Sequence, residues 1–570
     1  MKSIFRANIS IKASLLAAIF GLVAVLILTN DSLRSQSKIR IPKTMLTEDS
    51  VKVWVLFTDK GETTATPSRK AAISSAAIQR RDLRGTNAAT DVLDREVSRV
   101  YIDQVRAHAL RIVHPSRWLN AVSAYVTPAQ LDDIAQLDCV SEIRPVARFT
   151  RPEEPISPVS AELLRPTIPY PTFYGPSYAQ LNLIQVPLLH DLGYTGVGIR
   201  ILILDTGFNT EHTAFLATDI EATWDFINND EDVIDAASAS DGQQAHGTAT
   251  LSLIGAAEEE KAIGAAYEAT FLLAKTEVYG SETAIEEDNW VAGIEWGESL
   301  GADVASSSLG YVDWYEYADL DGNTALCTQA ADIAASLGVI VVNAIGNGQR
   351  LSTFPTLIAP SDGDSVIAVG AVSNGGDIAF FSSNGPTADG RIKPDVCAQG
   401  TSNYIASHVG GYGLGQGTSY STPLVAGAVA LLLQAHPEWK FGNLYRALTL
   451  TATRAAAPDN VYGYGIVRAL EALNYDGSAP KFIKGVTAYP NPFDDFVEFD
   501  FESPPAGTVE IRIYTVAGEK VATLTRPASD PLPLKWQGRN DSGEEAAPGI
   551  YIAYISAPGL SETRKIFKTR

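Results

Sequence analysis

The stretch IRILILDTG at residues 199–207 decides the fold of the central part of this chain. Its first six residues are apolar except Arg200, and a polar Asp-Thr-Gly turn follows them. Such runs are typical of strands that are buried on both faces of a parallel sheet. Similar runs alternate with helical stretches, and together they predict an open α/β sheet whose working residues lie beyond the carboxyl ends of the strands. The other predicted strands are TFLLAKTE (270–277), ADVASSSLG (302–310), GVIVVNAIGN (338–347) and SVIAVGAV (365–372).

Length and composition limit the possible classes of protein. The chain has 570 residues, which is too long for a single core, and its 45% hydrophobic and 19% charged residues are typical of globular domains. Its 44 Lys and Arg residues against 66 Asp and Glu residues give a net charge of −22. Such a surface repels phosphate backbones, so we do not expect a nucleic acid partner.

The three cysteines are Cys139, Cys327 and Cys397. Their spacings match no metal-site pattern, and three cysteines do not make a disulfide framework. We expect buried free thiols, with a single Cys327–Cys397 disulfide as the alternative.

The N-terminus carries an export signal. Basic residues precede an apolar run over residues 13–28, which is the pattern of a secretory signal peptide. We therefore assign residues 1–30 to a signal. No cleavage site of the Ala-x-Ala type follows, so an uncleaved signal anchor is the alternative. In both cases the bulk of the chain leaves the cytoplasm.

The rest of the chain divides into three blocks and a linker. Residues 48–150 show the order β-α-β-β-α-β, which predicts a ferredoxin-like α+β unit. Residues 151–177 form a linker, with seven prolines between 151 and 176, that we expect to be extended and open to cleavage. The α/β block covers 178–475. Residues 484–570 alternate apolar and polar positions between turns, which predicts an antiparallel, immunoglobulin-like β-sandwich.

Four polar residues stand where a parallel sheet presents side chains to a ligand: Asp205, His246, Asn347 and Ser419. Together they supply the parts of acyl-transfer chemistry, namely a nucleophile, a base, a carboxylate that orients the base, and an amide donor for an oxyanion. Each residue has a structural alternative. Asp205 could cap a turn, and His246 could be a core histidine. Asn347 could be a turn residue, and Ser419 a helix N-cap. Glycines flank all four, which favours tight turns or close backbone approach.

The ordered segments ILDTG, HGT, SSSLG, IGNG and GTSYSTPLVAG resemble those of the subtilisin-like serine proteases, or subtilases. The resemblance covers about 280 residues and includes FSSNGP, RIKPDV and VAGAVALLLQAHPEW. It implies that Asp205, His246 and Ser419 form a catalytic triad in a secreted endopeptidase acting on proteins or peptides. It also implies that Asn347 and the Ser419 backbone N–H bind the oxyanion.

The same resemblance implies the substrate-binding residues. Ser308, Leu309 and Gly310 would form one wall of the cleft and pair with the peptide as an added strand. The primary specificity pocket would be lined by Ala344, Ile345 and Gly346. The chemistry requires no cofactor. Many relatives bind structural calcium, but the corresponding region here, GAAEEEKAIG, has no evident Asn/Asp ligand loop, so calcium stays open.

The flanking blocks resemble other parts of such proteases. RWLNAVSAYVTPAQLDDIAQL and VSEIRP resemble the inhibitory subtilase propeptide, which implies a self-inhibited zymogen. AYPNPFDDFVEFDF, IYTVAGEKVATL and the basic end RKIFKTR resemble the C-terminal sorting domains of type IX secretion cargo. That implies contact with secretion machinery of the outer membrane and a secreted or cell-surface location in a Gram-negative bacterium. An immunoglobulin-like sandwich that binds carbohydrate or a surface is the alternative for this block.

Two other enzyme or binding classes fit parts of the sequence. Asp-Thr-Gly also occurs in aspartic proteases, but those need two such motifs and an all-β fold. A subtilase-like binding protein with an inactive site is the non-enzymatic alternative.

An acidic cluster follows the strand at 270–277. It fits a solvated loop and helix start, or an acidic rim that prefers basic peptide substrates. Its members are Glu277, Glu282, Glu286, Glu287 and Asp288.

Overall fold

The structure is a computed structural model that places most of the chain in three units. We call residues 38–147 the N-terminal unit, 172–475 the central unit and 486–568 the C-terminal unit. The predicted signal at 1–30 lies outside the described residues. The structure describes residues 38–61, 72–86, 90–147, 157–158, 172–234, 242–278, 287–348, 355–475, 477, 486–489, 493, 495–501, 508–515, 518–527, 534–557 and 560–568.

A seven-stranded parallel sheet forms the middle of the central unit, in the order β14-β13-β12-β11-β6-β10-β7. The predicted parallel α/β sheet is therefore confirmed. All five predicted strands are present, and two edge strands, β7 and β14, were missed. Strand β7 is half-exposed and β14 has only four residues, so neither gives a long apolar run. The strands are β6 (Arg200–Asp205), β7 (Asp219–Asp225), β10 (Thr270–Lys275), β11 (Val304–Ser307), β12 (Ile340–Ala344), β13 (Val366–Val372) and β14 (Val396–Gln399).

Helices cover both faces of this sheet, which explains the nearly continuous apolar run of β6. Ile201 and Ile203 pack into one core, and Leu202 and Leu204 pack into a second core on the opposite face. Small strands complete the unit: β8 (Ala257–Glu258) pairs with β9 (Ala262–Ile263), and β15 (Asn403–Ala406) pairs with β16 (Tyr412–Gly415). The helices are α5 (Tyr178–Leu183), α6 (Val186–Asp191), α7 (Ala245–Gly255), α8 (Glu287–Leu300), α9 (Leu326–Ser336), α10 (Thr418–Ala435), α11 (Phe441–Thr451) and α12 (Ala469–Leu473).

The N-terminal unit is an antiparallel sheet of four strands in the order β2-β3-β1-β4. The predicted β-α-β-β-α-β order is present, but helices α1 and α2 are additional. Helix α1 has a low apolar content and was not predicted, because its burial comes from contacts outside its own sheet. The elements are β1 (Val51–Phe57), α1 (Ser75–Leu83), α2 (Thr90–Leu93), α3 (Arg99–Arg106), β2 (Arg111–Ser116), β3 (Ala121–Val126), α4 (Pro128–Ala135) and β4 (Val140–Pro145).

The C-terminal unit contains two antiparallel sheets that share one apolar core. A β-rich unit is therefore present, and its immunoglobulin-like assignment stays a prediction. The strands of the unit are β17 (Val486–Tyr489), β18 (Val497–Phe501), β19 (Val509–Thr515), β20 (Lys520–Arg526), β21 (Leu534–Trp536), β22 (Gly549–Ala557) and β23 (Leu560–Lys568).

Within the predicted linker, the short strand β5 (Ser157–Pro158) pairs with β16 of the central unit.

The three cysteines are free and buried, as expected from the sequence. Cys327 lies on α9 and Cys397 on β14, and burial raises the pKa of both thiols. The alternative Cys327–Cys397 disulfide is therefore wrong.

Gly427 tests how tightly the central helix α10 is packed. A Cβ atom at this position would lie 2.4 Å from the Cβ of Ala265, whereas one at exposed Gly442 on α11 meets nothing closer than 3.9 Å. We expect Gly427→Ala to destabilise the central unit by about 1–3 kcal/mol, because the buried helix must move. Gly442→Ala should be neutral or stabilising by up to about 1 kcal/mol. Calorimetric unfolding measures both, and equal effects would contradict this packing.

Candidate active site

Asp205 ends β6 and is fully buried at the carboxyl edge of the sheet. Its Oδ1 accepts hydrogen bonds from the backbone N–H of Thr206 at 2.7 Å and from Nδ1 of His246 at 2.6 Å. Its Oδ2 accepts from the hydroxyl of Thr250 at 2.9 Å. These three donors satisfy a buried carboxylate that would otherwise be costly to keep ionised.

His246 lies in the first turn of α7 and is also buried. An ionised carboxylate only accepts, so the bond to Asp205 places a proton on Nδ1 of the imidazole. The ring stands beside Tyr420 of α10, with ring centroids 5.9 Å apart. The structure therefore brings the predicted aspartate and histidine into direct contact, although 41 positions separate them in the chain.

Two glycines permit this contact. A Cβ atom on Gly247 would lie 2.1 Å from the backbone oxygen of Gly207, which is too close for any side chain. Gly207 follows the aspartate turn and has a φ of +136°, in the region that favours glycine. The turn after β6 and the start of α7 therefore touch through their backbones.

Ser419 is the second residue of α10 and is buried. The preceding turn residue, Gly417, has a φ of +153°. The Ser308 hydroxyl, just beyond β11, donates to the backbone oxygen of Ser419 at 2.9 Å. This bond ties the start of α10 to the carboxyl end of the neighbouring strand.

Asn347 follows β12 and contacts the same helix start. Its Oδ1 accepts from both the backbone N–H and the hydroxyl of Thr418, each at 2.9 Å. A backbone N–H can only donate, so the atom it meets must be the amide oxygen. The amide NH₂ of Asn347 is thereby directed away from Thr418.

The predicted substrate-binding residues follow β11 and end β12. Leu309 is buried, and its carbonyl accepts from the side chain of Asn343 at 3.0 Å. Gly310 packs against Ile358, whose Cδ1 would lie 2.2 Å from an added Cβ. These contacts hold the segment against the central unit.

The predicted pocket residues Ala344 and Ile345 are both buried. The backbone N–H of Ile345 donates to Val369, and its carbonyl accepts from Ile358. Gly346 has a φ of +112°, and its carbonyl accepts from the backbone N–H of Ser383. The backbone of Ile345 is therefore already paired within the protein, and this residue can line a pocket only by packing.

Two residues of the site were missed by sequence reasoning, Thr250 and Thr418. Thr250 lies four positions after His246, so the two side chains share one face of α7. That spacing was the signal that could have identified it. Thr418 gives no comparable signal, because its partner Asn347 is remote in sequence.

The acidic cluster is buried in the full chain at the positions that the structure describes. Glu277, Glu287 and Asp288 are buried, and Glu282 and Glu286 lie outside the described residues. Asp288 forms an ion pair with Lys52 of β1 at 2.6 Å. Glu287 accepts from the indole N–H of Trp54 at 3.3 Å and from the backbone N–H of Ala147 at 3.0 Å. The solvated-loop hypothesis is therefore wrong for these positions in the full chain, where the N-terminal unit contacts Glu287 and Asp288. The acidic-rim hypothesis stays a prediction, because the groups that cover these two carboxylates belong to the N-terminal unit.

The pKa values of these two carboxyl groups move in opposite directions. Burial raises the pKa of Glu287, whose partners include no cation. Burial is the largest single effect on Asp288 and acts to raise its pKa. The charges of Lys52 and His114 and the hydrogen bonds from Lys52 and Ser123 together outweigh burial, so the pKa of Asp288 falls below its usual value.

The region where relatives often bind calcium forms the β8–β9 hairpin. Glu258 of this hairpin already binds Lys261, Thr213 and Tyr412, which bring the pKa of its carboxyl group to about 2 despite partial burial. Within the described ranges, no three His, Cys, Asp or Glu residues form a group that could hold a metal ion. Calcium binding therefore stays open.

The helices were also compared with the requirements of a membrane span. Among the residues with described positions, no helix is both long and apolar enough to cross a bilayer.

Three family models match the chain, in the order of the three units. The model of the subtilase family matches residues 196–465. The peptidase S8 propeptide domain of Bacteroidota matches 52–157, and the secretion system C-terminal sorting domain matches 487–569.

Curated relatives agree with these matches. Subtilisin of Bacillus pumilus is 31% identical over 293 residues, which are 51% of this chain and 97% of the relative. Subtilisin E of Bacillus subtilis is 31% identical over 51% of this chain and 70% of its own length, and subtilisin Savinase of Lederbergia lenta is 32% identical over 51% and 96%. The chain belongs to the subtilase family. It is a subtilisin-like serine endopeptidase with an N-terminal propeptide and a C-terminal sorting domain.

The close approach at Gly247 gives a testable prediction. Gly247→Ala should destabilise the central unit and separate His246 from Asp205, because the added methyl group would overlap the Gly207 carbonyl. Calorimetry and peptidase activity measure the two effects. Gly375→Ala is the matched control, since its nearest neighbour would be 3.6 Å away. An active, equally stable Gly247→Ala protein would contradict the described contact.

Proposed function

We propose that Asp205, His246 and Ser419 are the catalytic triad of this endopeptidase. The observation that carries the proposal is the buried 2.6 Å contact between His246 Nδ1 and Asp205 Oδ1, made at the edge where α10 presents Ser419. With its proton on Nδ1, the imidazole offers the lone pair of Nε2 as a base. The family membership supports the same three roles.

The proposed reaction has two halves. His246 takes the Ser419 hydroxyl proton as Oγ attacks the peptide carbonyl, and the tetrahedral intermediate then expels the amine, which receives that proton. An acyl-enzyme remains. Water attacks it in the same way, losing a proton to His246, which returns it to Ser419 as the acid product leaves. Asp205 keeps the imidazole in the required tautomer and stabilises its charged form.

We assign the oxyanion to the Asn347 side chain and the Ser419 backbone N–H. The support for Asn347 is its amide oxygen, which Thr418 holds with two hydrogen bonds so that the NH₂ is pre-oriented. A donor held in place before reaction stabilises developing charge without reorganisation. Ser308, Leu309 and Gly310 would carry the peptide as an added strand, and Ala344, Ile345 and Gly346 would line the primary pocket.

Substitutions at Ser419 and Asn347 should differ in severity. We expect Ser419→Ala to lower kcat by about 10⁴–10⁶, because the nucleophile is lost. Asn347→Ala should lower it by only about 10²–10³, because one of two oxyanion donors remains. Single-turnover assays with a peptide library measure both, and Ser421→Ala is the matched control, since that hydroxyl donates within α10 to Thr418. Equal losses at 347 and 419 would contradict the role of Asn347.

The two ends of the chain support a proposed export route. We propose that residues 1–30 direct export across the inner membrane, and that residues 484–570 then engage outer-membrane secretion machinery. The sorting-domain match supports the second step. The enzyme is then secreted or displayed on the cell surface.

Truncation separates the two steps. A chain without residues 484–570 should accumulate active enzyme in the periplasm, since the central core contains no residue of that unit. A chain without residues 1–30 should stay in the cytoplasm. Activity and immunoblots of the medium, periplasm and cytoplasm measure these outcomes. Release of the shortened chain into the medium at the full-length level would contradict the sorting role.

A further inference from the structure

Helix α1 of the propeptide packs against the central unit instead of its own sheet. It begins at the Ser74 N-cap, whose side chain accepts from Ala77 and whose backbone N–H donates to Ser299 of the central unit at 2.8 Å. Ala77, Arg80 and Arg81 are buried there. A helix of nine residues is too short to be stable alone in water, so this contact and the helix form together.

Arg80 and Arg81 surround Glu298, a fully buried carboxylate on α8. Arg81 makes a two-point contact, with Nε and Nη2 each 2.9 Å from a different oxygen of Glu298. Arg80 binds one of the same oxygens, and Arg117 lies 3.2 Å from the other. Glu298 is therefore paired entirely with guanidinium groups of the propeptide.

Arg80 and Arg84 also bind carbonyl groups beyond the C-terminal ends of α8, α9 and α10. Arg80 donates to Ala302 at 2.6 Å, and Arg84 donates to Gly338 and to Pro437. The C-terminal end of a helix carries partial negative charge, so guanidinium groups suit the carbonyls just beyond it. Arg84 additionally forms a 2.8 Å ion pair with Asp303.

The central unit is shaped to accept this helix. A Cβ atom on Gly301 would lie 2.7 Å from the Cβ of Ala76, so the turn after α8 has room for α1 only because residue 301 is glycine. Next to the turn after α9, the Thr86 hydroxyl donates to the Leu337 carbonyl at 3.1 Å. The surface of the central unit around the arginine contacts is therefore complementary in shape to α1.

This surface is at the opposite edge of the sheet from the candidate active site. Asp303 immediately precedes β11, whereas Ser308 immediately follows it. The contacts that Glu287 and Asp288 make at the start of α8 form a separate, first anchor nearer the cleft. The propeptide is thus held at both ends of α8.

We propose that Arg80, Arg81 and Arg84 form a second anchor, which keeps the propeptide bound and inhibitory after the linker is cut. This inference rests on the proposed function of the central unit. Cutting the linker turns an intramolecular contact into a complex of two chains, whose lifetime depends on its dissociation rate. Two anchors on one rigid domain prolong that lifetime, because both must open before the propeptide leaves.

The test uses the full chain with Ser419→Ala, so that it cannot cut itself. A recognition site for an added specific protease is placed within residues 159–171 and cut after purification. Dissociation of the propeptide fragment is then followed by size-exclusion chromatography over time. We expect Arg80→Gln with Arg84→Gln to speed dissociation by about a hundredfold or more, because Glu298 loses one of its three guanidinium partners and Asp303 loses its ion pair with Arg84. Exposed Arg99→Gln on α3 is the matched control and should change nothing.

Misfolding of the propeptide would also release it, so a second measurement separates the two. A double-substitution cycle combines Arg84→Gln with Asp303→Asn. The propeptide of the double variant should dissociate no faster than that of the more severe single variant, because the two substitutions remove the same ion pair. Additive effects, or dissociation of the Arg80/Arg84 variant at the parental rate, would overturn the proposal. Failure of the catalytic assignment would leave these rates unchanged, since they are measured on inactive protein.

Discussion

The backbone contact between Gly207 and Gly247 is the constraint on which the site depends. The parallel sheet is covered on both faces, so its polar side chains can meet a ligand only where strands end. At that edge the aspartate turn and the start of α7 come together without intervening side chains. The carboxylate of Asp205 and the imidazole of His246 are then within hydrogen-bond distance in a buried setting. Thr250 also donates to the carboxylate.

Helix α8 both packs in the core of the central unit and binds the propeptide. Its apolar side fills a core beneath the sheet, and the same core includes Trp54 and Trp118 of the propeptide. Its carboxylates Asp288 and Glu298 meet propeptide cations. Buried charges are costly without partners, so the propeptide and the central unit stabilise each other as one folded body. In the zymogen, Glu287 and Asp288 of the acidic segment therefore belong to the contact with the propeptide.

Much of this organisation could be predicted from local patterns. The apolar run 199–205 indicated a doubly covered strand, and the ordered segments around residues 205, 246, 347 and 419 indicated the family. Helix α1 could not be predicted, because its sequence has no clear apolar face and its arginines find their partners in α8, α9 and the segment before β11. Edge strands β7 and β14 were missed for a related reason: short or half-exposed strands give weak periodicity.

The sequence by itself determined the class of fold, the order of the units, the types of polar group at the candidate site and the buried free cysteines. These follow from local periodicity, glycine placement and composition, which act over a few residues. Only the tertiary structure decided which side chains meet: His246 with Asp205, Asn347 with Thr418, and Arg80 with Glu298. Such contacts depend on how distant segments pack, because a hydrogen bond or ion pair forms only when both groups lie within about 3 Å of each other.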